Sequence, residues 1–215
     1  KPIRKVECTF YNNLRSFRKW FTPWILQGTV PGAEHGLMPA AAETSFREHG
    51  IVCGQVLTTK EGLDKTDHYQ NQRHCMEVML GEGVVPIVNE NDTLSITELM
   101  FTDNDELSGL MAEMMQVDQL IILSNIDGIY NGHPNNPESH VIRHIQAKEN
   151  DDLAQYIQSE KSTLGRGGML TKCNIACQVA NKGIPVIIAN GKSEDILLNL
   201  IDKPEETVCT RFYNH

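Results

Sequence analysis

The sequence predicts an α/β protein, a three-layer α/β/α sandwich in which helices cover both faces of a mainly parallel sheet. From about residue 50 onward, short apolar runs alternate with segments of helical periodicity. The runs are apolar throughout, which is typical of parallel strands because both of their faces are buried. Turn residues and glycines follow the runs, as expected where strands end.

Four apolar runs are the predicted strands. They are residues 51–57 (IVCGQVL), 84–88 (VVPIV), 120–123 (LIIL) and 186–189 (VIIA). In parallel sheets covered by helices, ligands bind beyond the carboxyl ends of the strands. The residues that follow each run are therefore the first place to look for a functional site.

Helical periodicity predicts the elements between these strands, at residues 71–80, 105–115 and 193–201. A further helix is predicted behind residue 168, where four small apolar residues share one face: Cys173, Ala176, Cys177 and Ala180. The two cysteines of this face are predicted to be small core residues rather than metal ligands or a disulfide.

The first 45 residues do not follow this pattern. Both tryptophans lie in this segment, residues 14–24 are basic and aromatic, and residues 27–42 have no clear period. An α/β protein should have its first strand and phosphate-facing turn here, but none is visible. We therefore predict that the N-terminal strands are missing or altered.

Composition excludes several function classes. The formal net charge of −9 argues against a general nucleic-acid binder, since no basic stripe could offset phosphate repulsion. No apolar run reaches transmembrane length, and no apolar core of a signal peptide begins the chain, so we expect no membrane partner. The six cysteines are scattered without paired spacing, which favours a reducing, cytoplasmic location.

The stretch at residues 165–172, GRGGMLTK, has three glycines in four residues just before a predicted helix. Such a loop gathers backbone N–H groups and the positive end of the helix dipole, which suits phosphate. Lys172 adds a mobile positive charge. The spacing differs from that of the common P-loop, so a flexible loop that merely caps a helix is an equal alternative from this stretch alone.

Polar residues follow the predicted strands. Asn89-Glu90-Asn91-Asp92 comes after the second strand, and Asp103-Asn104-Asp105 begins a helix. Ser124-Asn125 and Asn190-Gly191 follow the third and fourth strands. Each group has an alternative as an ordinary turn or helix cap. Their coincidence with the glycine loop favours a site for an amino acid and phosphates, and so for phosphoryl transfer to an amino acid.

The motifs VVPIVNENDT, FTDNDELSGLMA, LIILSNIDGIY and GRGGMLTK, in that order and spacing, closely resemble the glutamate 5-kinases of the amino acid kinase family. The likeness runs from about Phe46 to Phe212, and the NEND and DND motifs separate it from the acetylglutamate, aspartate and uridylate kinases. The resemblance implies ATP-dependent phosphorylation of the γ-carboxylate of L-glutamate to γ-glutamyl phosphate, in proline biosynthesis. Mg²⁺, a homo-oligomer and feedback inhibition by proline are implied as well.

The resemblance also implies roles for individual residues. Asp92 and Asn104, with Asn89 and Asn91, match glutamate-binding positions. Asp105 matches an aspartate that orients the lysines of the site, and Lys172 matches a lysine that neutralises charge on the transferred phosphoryl group. Mg²⁺ is expected on the ATP phosphates without a direct protein ligand. The implied ATP-binding residues are Ser124, Asn125, Arg166, Gly167, Gly168, Met169, Leu170, Thr171 and Lys172.

The sequence departs from the family pattern at its N-terminus. A lysine and glycine turn after the first strand and a Ser-Ser-Gly turn after the second are both absent. We therefore expect residues 1–45 to be an atypical segment, from a frameshifted reading or a divergent N-terminus, joined to an incomplete kinase domain at 46–215. We expect no C-terminal RNA-binding-like domain, and a chain of weak or no activity.

Two alternatives to a glutamate kinase stay open at this point. The chain could be another amino acid kinase, acting on a different carboxylate, carbamate or phosphate. It could also be a degenerate kinase body that binds nucleotide or amino acid without turnover.

Overall fold

The computed structural model describes residues 6–9, 24–27, 46–60, 63, 66–91, 104–132, 136–147 and 169–214. Within these ranges, eight strands form one sheet in the order β3-β4-β2-β1-β5-β7-β8-β6. All neighbouring strands are parallel except β7 and β8, which are antiparallel. The strands are β1 (Val6–Thr9), β2 (Trp24–Gln27), β3 (Val52–Thr58), β4 (Val84–Glu90), β5 (Gln119–Ser124), β6 (His144–Gln146), β7 (Val186–Asn190) and β8 (Thr210–Tyr213).

Four helices are described with the sheet: α1 (Thr66–Gly81), α2 (Asn104–Met115), α3 (Met169–Asn181) and α4 (Ile196–Asp202). None of them is long and apolar enough to cross a membrane. Each predicted strand and helix is present, with ends shifted by a few residues. The largest shifts are at α1, which begins five residues before the predicted 71, and at α4, which begins three residues after the predicted 193.

The core lies on both faces of the sheet. Leu120 and Ile122 of β5 belong to one buried cluster, while Ile121 and Leu123 belong to another. The first cluster contains side chains of α1, α2 and α3, and the second contains side chains of α4. Successive strand residues point to opposite faces, so a strand buried on both faces must be apolar throughout. The predicted three-layer α/β/α architecture is therefore confirmed.

The sequence predicts N-terminal strands that are missing or altered, and the structure contains two short strands in this segment. β1 pairs with β2 and with β5, and β2 pairs with β4, so both lie in the middle of the sheet. Each strand has four residues, too few for a period to stand out, and parallel pairing depends on partners distant in the chain. The residues that follow these two strands lie outside the described ranges.

The order of the strands creates a switch point beside β1. From β1 the chain passes to β2 and then to β3 and β4 on one side, and later to β5 and β7 on the other. The carboxyl ends of these six parallel strands share one border of the sheet, which we call the carboxyl edge. Crevices at the carboxyl edge, next to such a switch point, are where open α/β sheets bind ligands.

Candidate active site

Three helices begin near the carboxyl edge. Short connections at residues 82–83, 116–118 and 182–185 join α1, α2 and α3 to the strands that follow them, β4, β5 and β7. A helix that ends so close to the start of a strand must run opposite to it, so its own first turn lies near the carboxyl edge. The positive ends of these helix dipoles therefore lie on the side of the sheet where polar residues collect.

Lys172 and Asp105 form the centre of the described site. The Nζ of Lys172, in the first turn of α3, donates to Oδ2 of Asp105, in the first turn of α2. The Asp105 side chain is only 5% exposed and the Lys172 side chain 16%. A buried carboxylate needs a cation or several donors, and Lys172 supplies one. The two residues predicted as catalytic are thus in direct contact.

Close packing between α2 and α3 brings their first turns together. A Cβ built on Gly109 of α2 would lie 2.9 Å from Cγ2 of Ile175 and 3.2 Å from Cγ2 of Val179, both in α3. A larger residue at position 109 would have to displace these two methyl groups, so glycine favours the close packing of α2 and α3. The Oγ of Ser108 donates to the backbone O of Asp105 at 2.7 Å. This bond gives the buried Ser108 hydroxyl a hydrogen-bond partner within its own helix.

A second ion pair lies beside the first. The Nζ of Lys60, two residues beyond the end of β3, is 2.6 Å from Oε1 of Glu106. Two consecutive acids of α2 are therefore each bound to a lysine from a different element. Negative side chains are favoured in the first turn of a helix by the dipole, so both acids suit this position.

The carboxyl ends of β3 and β4 are joined by hydrogen bonds. The backbone N of Asn91 donates to the O of Thr58 at 2.6 Å. The Oγ1 of Thr58 donates to Oε1 of Gln72 at 2.8 Å, which ties β3 to α1. Asn89 and Asn91 are half-buried at this end of β4. Two of the predicted substrate-binding residues thus lie at the carboxyl edge, while Asp92 lies outside the described residues.

A hydrogen-bonded group joins the ends of β5 and β7. Asp127 accepts from Nδ2 of Asn190 at 2.8 Å and from the hydroxyl of Tyr130 at 3.0 Å. The backbone N of Gly191 donates to the O of Ser124 at 2.8 Å. Burial, together with Asp127, raises the pKa of the Tyr130 hydroxyl above its ordinary 10.0. Ser124 is buried and Asn125 is exposed beside this group.

The glycine loop is described only in part. Arg166, Gly167 and Gly168 lie outside the described residues. Met169, Leu170 and Thr171 form the first turn of α3 together with Lys172, so this half of the predicted ATP-binding stretch is helical. Leu170 is half exposed. The described part of α3 starts at Met169, which follows the glycines in the sequence.

Two residues of the carboxyl edge were missed as site candidates: Lys60 and Glu106. Lys60 follows a predicted strand by a few residues, so the strand-end rule could have found it. Asp127 lies at a strand exit that the sequence singles out, but it was given no role of its own. Glu106 lies next to Asp105 and carried no signal of its own, because its partner comes from another part of the chain. Asn104, which begins α2, is half-buried two residues before Glu106.

The charged groups of the described site residues form no metal centre by themselves. Over the ranges that the structure describes, no three His, Cys, Asp or Glu residues are grouped to hold a metal ion. Asp105 is already bound to Lys172.

Residues 35–190 match the model of the amino acid kinase family. The chain is 65% identical over 167 residues to a glutamate 5-kinase of Bacteroides thetaiotaomicron, covering 78% of this chain and 46% of that protein. It is 53% identical over 153 residues to a glutamate 5-kinase of Chlorobaculum tepidum, covering 71% of this chain and 41% of that protein. The chain spans about half the length of these curated relatives.

Solved structures share the fold at low sequence identity. Carbamate kinase from Giardia lamblia bound to AMP-PNP superposes with a TM-score of 0.61 at 13% identity, covering 100% of this chain and 99% of that chain. UMP kinase from Ureaplasma parvum gives a TM-score of 0.62 at 13% identity, covering 99% and 100%. At this identity the likeness concerns the fold alone.

Proposed function

Because this chain belongs to the amino acid kinase family, we propose that it transfers the γ-phosphoryl group of ATP to the γ-carboxylate of L-glutamate. The product is γ-glutamyl phosphate, a precursor for proline. The observation that carries the proposal is the contact between Lys172 and Asp105, at the N-termini of two helices on the carboxyl edge. The identity to two glutamate 5-kinases supports the choice of acceptor.

The reaction brings together two anions, so the site must supply positive charge. The γ-carboxylate oxygen attacks the γ-phosphorus, and the bond from that phosphorus to the bridging oxygen of ADP breaks. The carboxylate is already ionised at neutral pH, so no general base is required. Catalysis then consists of positioning and charge stabilisation.

Lys172 is the residue that stabilises the transferred group. Its ammonium has three donors, of which one is held by Asp105, so others can reach phosphate oxygens. Asp105 fixes the direction of the lysine, acting through Lys172 rather than on substrate. The dipoles of α2 and α3 favour negative charge at the same place. A preorganised cation of this kind stabilises the transition state more than a mobile one.

The acceptor side of the proposed site is formed by the β4 exit and the start of α2. Asn89, Asn91 and Asn104 offer amide groups that can bind the ammonium and carboxylate ends of glutamate. Asp92 is proposed to bind the ammonium group. Binding at both ends of the amino acid would leave its γ-carboxylate free to face the phosphoryl group.

The nucleotide side is formed by the β5 exit and the start of α3. Ser124 and Asn125 follow β5, and the group around Asp127 supports the turn beside them. The backbone amides of residues 166–171 and Lys172 are proposed to bind the phosphates. Mg²⁺ bound to those phosphates would neutralise part of their charge, with ligands mainly from phosphate and water.

Four finer expectations are part of the same proposal. Proline is expected to compete with glutamate, since both share the α-amino and carboxyl groups that the acceptor side binds. A cytoplasmic location suits the free thiols of Cys53, Cys75, Cys173, Cys177 and Cys209. A homo-oligomer stays a prediction that light scattering tests. Weak or no activity of this chain stays a prediction that the rate of ADP release tests.

The test is a coupled assay of ADP release with purified chain, ATP, Mg²⁺ and glutamate. We expect release that depends on glutamate and that aspartate or acetylglutamate does not support. Release that prefers another acceptor would identify a different amino acid kinase. Calorimetric binding of ATP or glutamate without any release would identify a non-catalytic kinase body, and would contradict the proposal.

A further inference from the structure

The ion pair between Lys60 and Glu106 has no part in the mechanism described above. The two atoms are 2.6 Å apart, and the side chains are 35% and 21% exposed. The residues are 46 positions apart in the chain, so the pair joins the exit of β3 to the first turn of α2. It is a tertiary link at the carboxyl edge rather than a local helix contact.

The first turn of α2 is therefore held from two directions. Asp105 binds Lys172 of α3, and Glu106 binds Lys60 beyond β3. Glu106 also lines a groove of about 250 Å³ between α2 and α3, together with Thr171. Asn104, which begins this turn, is one of the proposed acceptor-binding residues. Its position depends on where the turn is anchored.

We propose that Lys60 and Glu106 form a positioning ion pair that sets the affinity of the site for its amino acid acceptor. This inference rests on the proposed function. When the pair is broken, the first turn of α2 loses its link to β3, while the contact between Asp105 and Lys172 remains. The acceptor side then loosens more than the nucleotide side, which keeps its own contacts at β5, β7 and α3.

The charges of the ion pair also predict weaker acceptor binding when the pair is broken. In the intact protein, each of the two acids of this turn has a lysine partner. Removal of Lys60 leaves the Glu106 carboxylate without this partner close to the place where an anionic acceptor is proposed to bind. Removal of Glu106 loses the link without adding negative charge. Lys60→Met should therefore weaken acceptor binding more than Glu106→Gln does.

The experiment compares steady-state kinetics and amide hydrogen exchange in Lys60→Met, Glu106→Gln and Lys60→Arg. Because partly exposed ion pairs contribute modestly, the KM for glutamate should rise about two- to fivefold in Lys60→Met, while kcat and the KM for ATP change by less than about twofold. Lys60→Arg, which keeps the charge, should restore the KM. Exchange in residues 104–110 should become faster in Lys60→Met and Glu106→Gln.

The matched control is Glu77→Gln, which breaks the exposed ion pair between Arg73 and Glu77 within α1. It should change neither the KM for glutamate nor exchange in α2. Unchanged exchange and an unchanged KM for glutamate in both Lys60→Met and Glu106→Gln would overturn the inference. An equal rise in the KM for glutamate and the KM for ATP would overturn it as well. If the unmodified chain shows no glutamate-dependent turnover, the proposed function fails, and the link between the ion pair and acceptor affinity fails with it. The exchange data then still decide whether the ion pair anchors α2.

Discussion

Lys172 and Asp105 are 67 residues apart in the chain, and their side chains meet where α2 and α3 begin. The carboxylate is buried and the ammonium is mostly buried. The contact brings a cation to the carboxyl edge and fixes it there. Most of the chemistry proposed for this protein depends on that placement, and the predictions below test it and its surroundings.

Lys172→Ala should lower kcat on the order of 10²–10³-fold, the usual effect of removing one well-placed charge donor. The measurement is the coupled assay with saturating ATP and glutamate. Lys182→Ala is the matched control, because Lys182 is exposed just beyond the other end of α3. Unchanged turnover in Lys172→Ala would remove Lys172 from the mechanism.

Asp105→Asn and Lys172→Ala should not be additive. Asp105 acts through Lys172, so once the lysine is gone the aspartate has nothing to orient, and the double variant should be no slower than Lys172→Ala alone. A double-mutant cycle on kcat measures this coupling. If the two effects multiply instead, Asp105 has a role of its own in the reaction.

Gly109→Ala should destabilise the protein by about 1 kcal/mol, because overpacking between α2 and α3 outweighs the gain in helix propensity. The added Cβ would come within 2.9 Å of Ile175. Urea unfolding measures the change. In Gly81→Ala, at the end of α1, nothing lies within 4 Å of the new Cβ. That control variant should be neutral or slightly more stable.

The thiol of Cys173 should make the free energy of unfolding decrease as the pH becomes alkaline. Burial, with a smaller contribution from Cys177, raises the pKa of Cys173 from 9.0 to about 12. The unfolded chain loses this proton at lower pH than the folded chain does. The contribution of the neutral thiol is therefore complete below pH 9 and is lost as pH rises through about 12.

Unfolding of the wild-type protein and Cys173→Ala across this range measures that contribution. The free energy of unfolding should fall more steeply with pH in the wild-type protein. Alkylation at neutral pH adds an independent check, since the exposed Cys75 should react with iodoacetamide while the buried Cys173 should not. Equal slopes for the two proteins, with rapid alkylation of Cys173, would contradict the prediction.

The sequence determined the fold class and the positions of the longer elements. Apolar runs such as those of β5 and β7 are visible because burial on both faces requires apolar residues throughout. Strand ends can also be located from the sequence, which places Asn89, Ser124 and Asn125 directly after predicted strands. The motif around Lys172 and Asp105 was found through its resemblance to a known family.

Only the tertiary structure decided which of these residues meet. The short strands β1 and β2 carried no pattern, because four residues cannot show a period and their stability comes from neighbours on both sides. The pairing of Lys60 with Glu106 and of Asp127 with Asn190 was equally hidden. A sequence records the spacing along one strand or helix, whereas contacts between elements depend on how the whole sheet is ordered and packed.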